Sequence, residues 1–282
     1  MTDARVDLLQ GTSMEAAFFD LDKTVIAKSS VLALGPSFYR EGLVSLPTLI
    51  RSIYAQLVFV AVGADEERME RARRAASELS RGWDEETVRR LVNEALEDRL
   101  RPLLYSEALE LFREHRRQGR RIFLVSSAPE EVVEPIARML KVDDFVATRA
   151  EVVDGRYTGG VEFYCYGQNK AKAIQELAEA RGIDLPASFA YSDSITDLPM
   201  LEAVGHPVAV NPDKELARVA EERGWPILRF KQTIELEGER ESFRFVGIRD
   251  EPMRRLLALG SLVVAGAVAA RIVISWRSRP KG

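Results

Sequence analysis

The sequence predicts an α/β protein: a mostly parallel sheet with helices on both faces, an all-helical insert near the N-terminus and an apolar helix at the C-terminus. Three observations lead there. From about residue 106 to 230, short apolar runs alternate with helical periodicity, the rhythm of βαβ units. Residues 27–105 carry helical spacing and no convincing strand. Leu256 to Trp276 is apolar except for Arg271, and about 20 such residues cross a bilayer.

The elements follow in order. Met1 to Ser13 is polar, with Asp3, Arg5 and Asp7, and lacks the basic-then-apolar pattern of a secretory signal. Ala16 to Phe19 reads as a buried strand that stops at Asp20. Leu46, Leu49, Ile50, Ile53, Leu57 and Val58 repeat at helical spacing, with Pro47 in a first turn where its missing N–H costs nothing. A second helix is expected over about 65–79. A third starts from an Asp84 cap and runs through Val88, Leu91, Val92, Ala95 and Leu96 toward Pro102. A helix from Ser106 ends near Gly119, and Arg121 to Val125 is a strand ending at Ser126-Ser127, with Pro129 opening the next helix. Asp154-Gly155 is a hairpin turn joining strands over 145–153 and 156–161. Lys170 to Arg181 is helical and stops at Gly182. Phe189 to Ser192 is a strand ending at Asp193; Val208 to Val210 is another, followed by a helix from Asp213 and a short strand at Ile227-Leu228. Residues 231–250 are charged and irregular. The expected organisation is a core from 1–26 and 106–230, an insert over 27–105, a linker over 231–255 and a membrane helix over 256–276.

Composition narrows the chemistry. Forty basic residues against 44 acidic ones leave a net charge of −4, so no overall basic field exists to grip nucleic acid. A single cysteine, Cys165, excludes an internal disulfide and a Cys-rich zinc site, and His115 and His206 are too few for a His-rich one. No G-x-x-x-x-G-K-[ST] phosphate loop appears. Carboxylates remain the source of chemistry. At the C-terminus, Arg271 lies where a long side chain can reach headgroups. Basic residues flank both ends (Arg254 and Arg255; Arg277, Arg279 and Lys281), so charge does not set an orientation. A buried or surface-lying helix is the competing reading.

Asp20-Leu21-Asp22-Lys23-Thr24 directly follows the first strand, and ligands gather at the carboxyl ends of strands in open α/β sheets. Two carboxylates one residue apart can divide labour: Asp20 attacks phosphorus, and Asp22 protonates the leaving group and later activates water. Ser126 ends a strand where its hydroxyl can hold a phosphoryl oxygen; capping the following helix is the plain alternative. Lys170 can neutralise the nucleophile and the phosphate, against the ordinary expectation of a solvated lysine. Asp193 and Asp197 follow another strand. Asp193 can bind Mg²⁺, while Asp197 can steady Lys170 or a metal-bound water, or simply cap a helix.

The ordered set DLDKT, VSSA, NKAKA and YSDSITDLPML resembles the haloacid dehalogenase-like phosphatases, and within them subfamily IB, the branch that includes phosphoserine phosphatases. The similarity covers about residues 15–230. It implies a Rossmann-like core with a helical lid, Asp20 as nucleophile, Asp22 as general acid/base, and Mg²⁺ held by Asp20, the Asp22 carbonyl and Asp193, with Asp197 in support. Thr24, Ser126 and Lys170 would hold the phosphate, with Ser127 beside them. Lys172 competes for the Lys170 role, and spacing to Gly182 favours Lys170.

Two positions depart from the family pattern. The acidic lid residue that holds the substrate ammonium in phosphoserine phosphatases is Ser29 here, beside Lys28, and the serine motif reads Ser126-Ser127-Ala128. The expected substrate is therefore a small phosphomonoester such as phosphoserine or a lipid phosphate. The apolar stretch over 43–62 reads plainly as the core of the helical lid, or, together with the C-terminal helix, as a lipid-facing surface, and the sequence does not choose between the two substrates. The expected location is a cytoplasmic catalytic domain tethered to the membrane. A tethered binding module without activity, and a phosphotransferase, are the alternatives from other classes.

Overall fold

The computed structural model describes residues 14–45 and 77–234. Its centre is β1 (Ala16–Phe19), four residues with almost no exposed surface. The period-2 geometry of a strand sends Ala17 and Phe19 to one face and Ala16 and Phe18 to the other, and each pair enters a different hydrophobic core. Around β1 lie β2 (Arg121–Pro129), β3 (Asp144–Val153), β4 (Arg156–Phe163), β5 (Phe189–Ser192), β6 (His206–Val210) and β7 (Ile227–Leu228), in the order β4-β3-β2-β1-β5-β6-β7. All pairings are parallel except β3 with β4, the hairpin about Asp154-Gly155. Phe19 pairs with Leu124 of β2 and with Tyr191 of β5. That register brings the chain beyond all three strands to one edge of the sheet.

Helices cover both faces, as the alternating pattern predicts. On one side α1 (Ser30–Arg40), α2 (Glu85–Ala95), α3 (Ser106–Arg117) and α4 (Glu130–Leu140) close over Phe19, Ile122 and Leu124. On the other, α5 (Gln168–Arg181), α6 (Leu198–Glu202) and α7 (Lys214–Arg223) close over Phe18, Phe123 and Val125. Asp84 caps α2 by accepting from the Thr87 N–H at 2.8 Å, and Gly182 ends α5 at φ +67°, both as expected.

The sequence reading differs from the structure in three places. Residues 126–129, which lack β-formers, stay extended in β2 with a register shift against β3 between Val125 and Pro129. Helix α1 is not visible in the sequence pattern because Gly35 and Pro36 interrupt it; burial of Leu34 and Phe38 holds it. Helix α5 begins at Gln168, one half-turn before Lys170. The helix expected over 46–58, most of the one over 65–79, the linker from 235 on and the apolar helix over 256–276 lie outside the described residues. Among the described residues no helix is long and apolar enough to cross a membrane.

The insert leaves and rejoins the sheet through paired backbone: Ala27 N–H donates to the Leu103 carbonyl at 2.8 Å and Tyr105 N–H to that of Val25 at 2.9 Å. A second attachment lies at β4, where Gly82 N–H donates to Tyr157 and Tyr157 N–H to Trp83.

Candidate active site

Asp20 N–H donates to the Tyr191 carbonyl at 2.9 Å, one step past the last β1–β5 pair. The nucleophile candidate is thus fixed by the sheet itself. Its side chain is buried, and Lys170 Nζ donates to its Oδ1 at 2.6 Å. The same ammonium donates to Asp197 Oδ2 at 2.7 Å, which also accepts from Ser192 Oγ at 2.7 Å. Lys170 is 2% exposed, so it is no solvated lysine, whereas Lys172 faces solvent. Asp197 begins α6 without a side-chain capping bond; its carboxylate is used on Lys170.

Asp22 is half-buried at the N-terminus of α1, where Ser30 N–H donates to its Oδ1 at 3.0 Å. Around and just past Asp22 the chain folds tightly: Val25 and Ile26 N–H both donate to the Leu21 carbonyl. Thr24 closes this turn with a buried hydroxyl that has no hydrogen-bond partner among the described residues. Ser126 is buried within β2, past its pairing with β1, and accepts from the Ala128 N–H at 3.2 Å; it does not cap α4, whose N-cap is Pro129. Ser127 is exposed, and its carbonyl accepts from Thr148 Oγ1. Asp193 lies past β5, its carbonyl accepting from the Asp213 N–H at 2.7 Å.

Electrostatics follow from this burial. Desolvation pushes Asp20 up to about 7, against the pull of Lys170 and with added repulsion from Asp197. Desolvation and then repulsion from Asp20 push Asp193 up to about 8, with Lys23 opposing. Asp22 is raised by burial, and the Ser30 N–H and the hydroxyls of Ser30 and Ser29 counter it. Burial would lower Lys170, but Asp197 and Asp20 outweigh it and hold the amine charged. Four carboxylates, Asp20, Asp22, Asp193 and Asp197, thus share the site with Lys170 and Lys23, and an added cation would favour the ionised form of Asp20 and Asp193. Among the described residues no three His, Cys, Asp or Glu side chains form a ready-made metal cage. Two carboxylates, Asp20 and Asp193, are instead a donor set that suits Mg²⁺, which keeps several waters and shares phosphate oxygens.

Sequence reasoning missed three contributors. Ser192 stands inside the quoted YSDSITD run, yet its bond to Asp197 needed the fold. Ser30 lies on the helix hidden by Gly35-Pro36. Asp213 was read only as a helix start, but it also accepts from the Ile195 N–H at 2.8 Å and so shapes the Asp193 loop.

The model of the haloacid dehalogenase-like hydrolases matches residues 17–202. This chain belongs to that family. Three curated relatives are phosphatase-like or of other description. A protein described as inhibiting morphological differentiation in Streptomyces azureus is 48% identical over 265 residues, 94% of each chain. A probable phosphatase of Mycobacterium tuberculosis is 51% identical over 221 residues, covering 78% of this chain and 77% of its own. A phosphoserine phosphatase of the same organism is 34% identical over 218 residues, 77% of this chain and 71% of its own. A solved phosphoserine phosphatase holding a phospho-aspartyl intermediate analogue shares the fold, with TM-score 0.59, 19% identity and coverage of 78% and 95%. The hydrolase is thus an enzyme of the phosphatase kind, and phosphoserine phosphatases are among the proteins it is similar to.

Proposed function

We propose that this chain is a Mg²⁺-dependent phosphomonoester hydrolase working through an aspartyl-phosphate on Asp20. The observation that carries the reading is the buried Asp20–Lys170–Asp197 chain at the carboxyl edge of the sheet. Lys170 occupies Asp20 Oδ1, and among the described residues Oδ2 accepts no hydrogen bond. Oδ2 attacks phosphorus, the ester P–O bond breaks, and Asp22 gives its proton to the departing alkoxide. Asp22, now a carboxylate held by the Ser30 N–H, takes a proton from water. That water attacks phosphorus, the P–Oδ2 bond breaks, and Asp20 returns with inorganic phosphate released.

Asp20, the Asp22 carbonyl and Asp193 would hold Mg²⁺, which supplies charge neutralisation on the phosphoryl oxygens. Lys170 shares that task, and its two carboxylate partners keep it charged and aimed. Thr24 Oγ1, buried and unpartnered among the described residues, has an unmet hydrogen-bonding capacity that a phosphate oxygen would satisfy. Ser126 stands beside the same edge of the sheet, with the exposed Ser127 next to it.

Ser29, at the start of α1, offers a hydroxyl toward Asp22 and no carboxylate for a substrate ammonium. This supports a phosphomonoester without an amine, and a lipid phosphate is favoured over phosphoserine. The apolar run from Leu256 to Trp276 supports a membrane tether on a separate ground, since about 20 such residues cross a bilayer. The test is phosphate release by the full chain in detergent, with Mg²⁺ or EDTA, comparing phosphoserine with phosphatidylglycerophosphate. Mg²⁺-dependent release with preference for the lipid is expected. Release that survives EDTA overturns the metal assignment, and preference for phosphoserine overturns the lipid reading.

A further inference from the structure

Lys23 directly follows the second carboxylate of the Asp20-Leu21-Asp22 run and holds an unusual backbone state. Its φ is +65°, in the left-handed region that favours glycine. The other described non-glycine residues with positive φ are Lys141, Asp154 and Asn211. Lys141 ends α4, where such a conformation is common, and Asp and Asn tolerate it best. Lys23 has neither excuse. The Val25 and Ile26 N–H groups both donate to the Leu21 carbonyl and close the turn around position 23. Strain retained at such a position points to a use for the side chain.

That side chain goes to Asp193. Lys23 Nζ lies 3.9 Å from Asp193 Oδ2, with the lysine side chain 40% exposed and the aspartate 11%. Asp193 lies beside Asp20 in a cluster whose buried cation, Lys170, is already committed to Asp20 and Asp197. Lys23 is the further ammonium near Asp193 among the described residues, and it approaches from the solvent side.

We propose that Lys23 is a built-in counter-cation of the metal position, which weakens Mg²⁺ binding by opposing its charge and has to yield when the ion enters. The inference rests on the reading of Asp20 and Asp193 as the cation-holding pair. A unit charge within several ångströms of a divalent ion in a half-exposed setting shifts its affinity by about three- to tenfold, and salt screens the effect. The benefit is a fully dissociable ion and a stabilised empty site. The left-handed backbone is what lets residue 23 reach across to Asp193 rather than outward with the chain.

The test is calorimetric titration of metal-free full-length protein with Mg²⁺, at low and high salt, for wild type, Lys23→Met and Lys23→Gly. Lys23→Met keeps a side chain in the strained turn and removes only its charge. It should bind Mg²⁺ about three- to tenfold more tightly at low salt, with the gap closing at high salt. Lys23→Gly should gain the same affinity and also unfold at a higher temperature, which separates charge from strain. Equal or weaker Mg²⁺ binding by both variants overturns the proposal while leaving the hydrolase reading in place. Failure of wild type and variants alike to bind Mg²⁺ overturns both. A raised KM for the phosphomonoester at unchanged Mg²⁺ affinity would make Lys23 a substrate contact instead, and also overturns it.

Discussion

Lys170 and His115 are both buried ionisable side chains, and the fold treats them in opposite ways. Lys170 is enclosed with two carboxylates and stays charged. His115 is enclosed with rings: Phe19, Phe189 and Tyr191 surround it, and its Nε2 lies 2.8 Å from the Tyr191 hydroxyl. Burial, and then the nearby Arg120, lower its pKa from 6.5 to about 4, with Glu114 opposing. The native state therefore holds a neutral imidazole where the unfolded chain already takes up a proton. Above pH 6.5 the two states are alike; below it stability falls as pH drops toward 4. Urea unfolding at stepped pH should show this loss, on the order of 3 kcal/mol at most. His115→Gln should flatten that part of the profile, and an unchanged slope would mean that another group carries it.

At this scale Asp20, Asp22, Lys170, Asp193 and Asp197 were legible because each sits at a fixed offset from a strand end or helix start. Spacing to Gly182 already favoured Lys170 over Lys172, and the helix phase buries the one and exposes the other. Ser192, Ser30 and the left-handed Lys23 were not legible. A serine hydroxyl carries no pattern, and a lysine at positive φ contradicts local preference.

Elements show the same division. The four-residue strands β1 and β5 were readable as apolar runs ending in aspartate, and the Asp154-Gly155 turn marked the hairpin. The extension of β2 past Val125 was not, since Ser-Ser-Ala-Pro has no strand preference and pairing with β3 decides it. Nor did a charged stretch announce that residues 230–234 are pinned. Ser106 N–H donates to the Gln232 carbonyl at 2.9 Å and Ile234 N–H to that of Leu104 at 2.9 Å. The Glu107 carboxylate accepts from the Lys231 and Gln232 N–H groups at 2.8 and 3.1 Å. This short strap crosses the point where the insert rejoins α3. Glu107→Ala leaves two N–H groups to solvent, so hydrogen exchange at Lys231 and Gln232 should quicken by about tenfold, equivalent to a lost bond of roughly 1 kcal/mol. Unchanged exchange would assign the strap's order to its backbone pairing alone.

Over the whole molecule, parallel register is what turns separate motifs into one site. Phe19, Leu124 and Tyr191 lie side by side in three strands, so Asp20, Ser126 and Asp193 emerge at one edge although more than a hundred residues separate the first from the others. Helix α5 then lays Lys170 under Asp20, and α1 sets its N-terminus against Asp22. The first helix of the insert is therefore tied directly to the Asp22 carboxylate. The chemistry that follows makes one covalent claim, and capture of the enzyme during turnover tests it most directly. Wild-type protein is mixed with Mg²⁺ and a phosphomonoester, quenched, reduced with borohydride and mapped by mass spectrometry. The account predicts a reduced carboxyl at Asp20 alone. It also predicts that Asp20→Asn shows no such mark and releases phosphate at least about a thousandfold more slowly, with its fold intact. A mark on another residue, or undiminished turnover by Asp20→Asn, would contradict it.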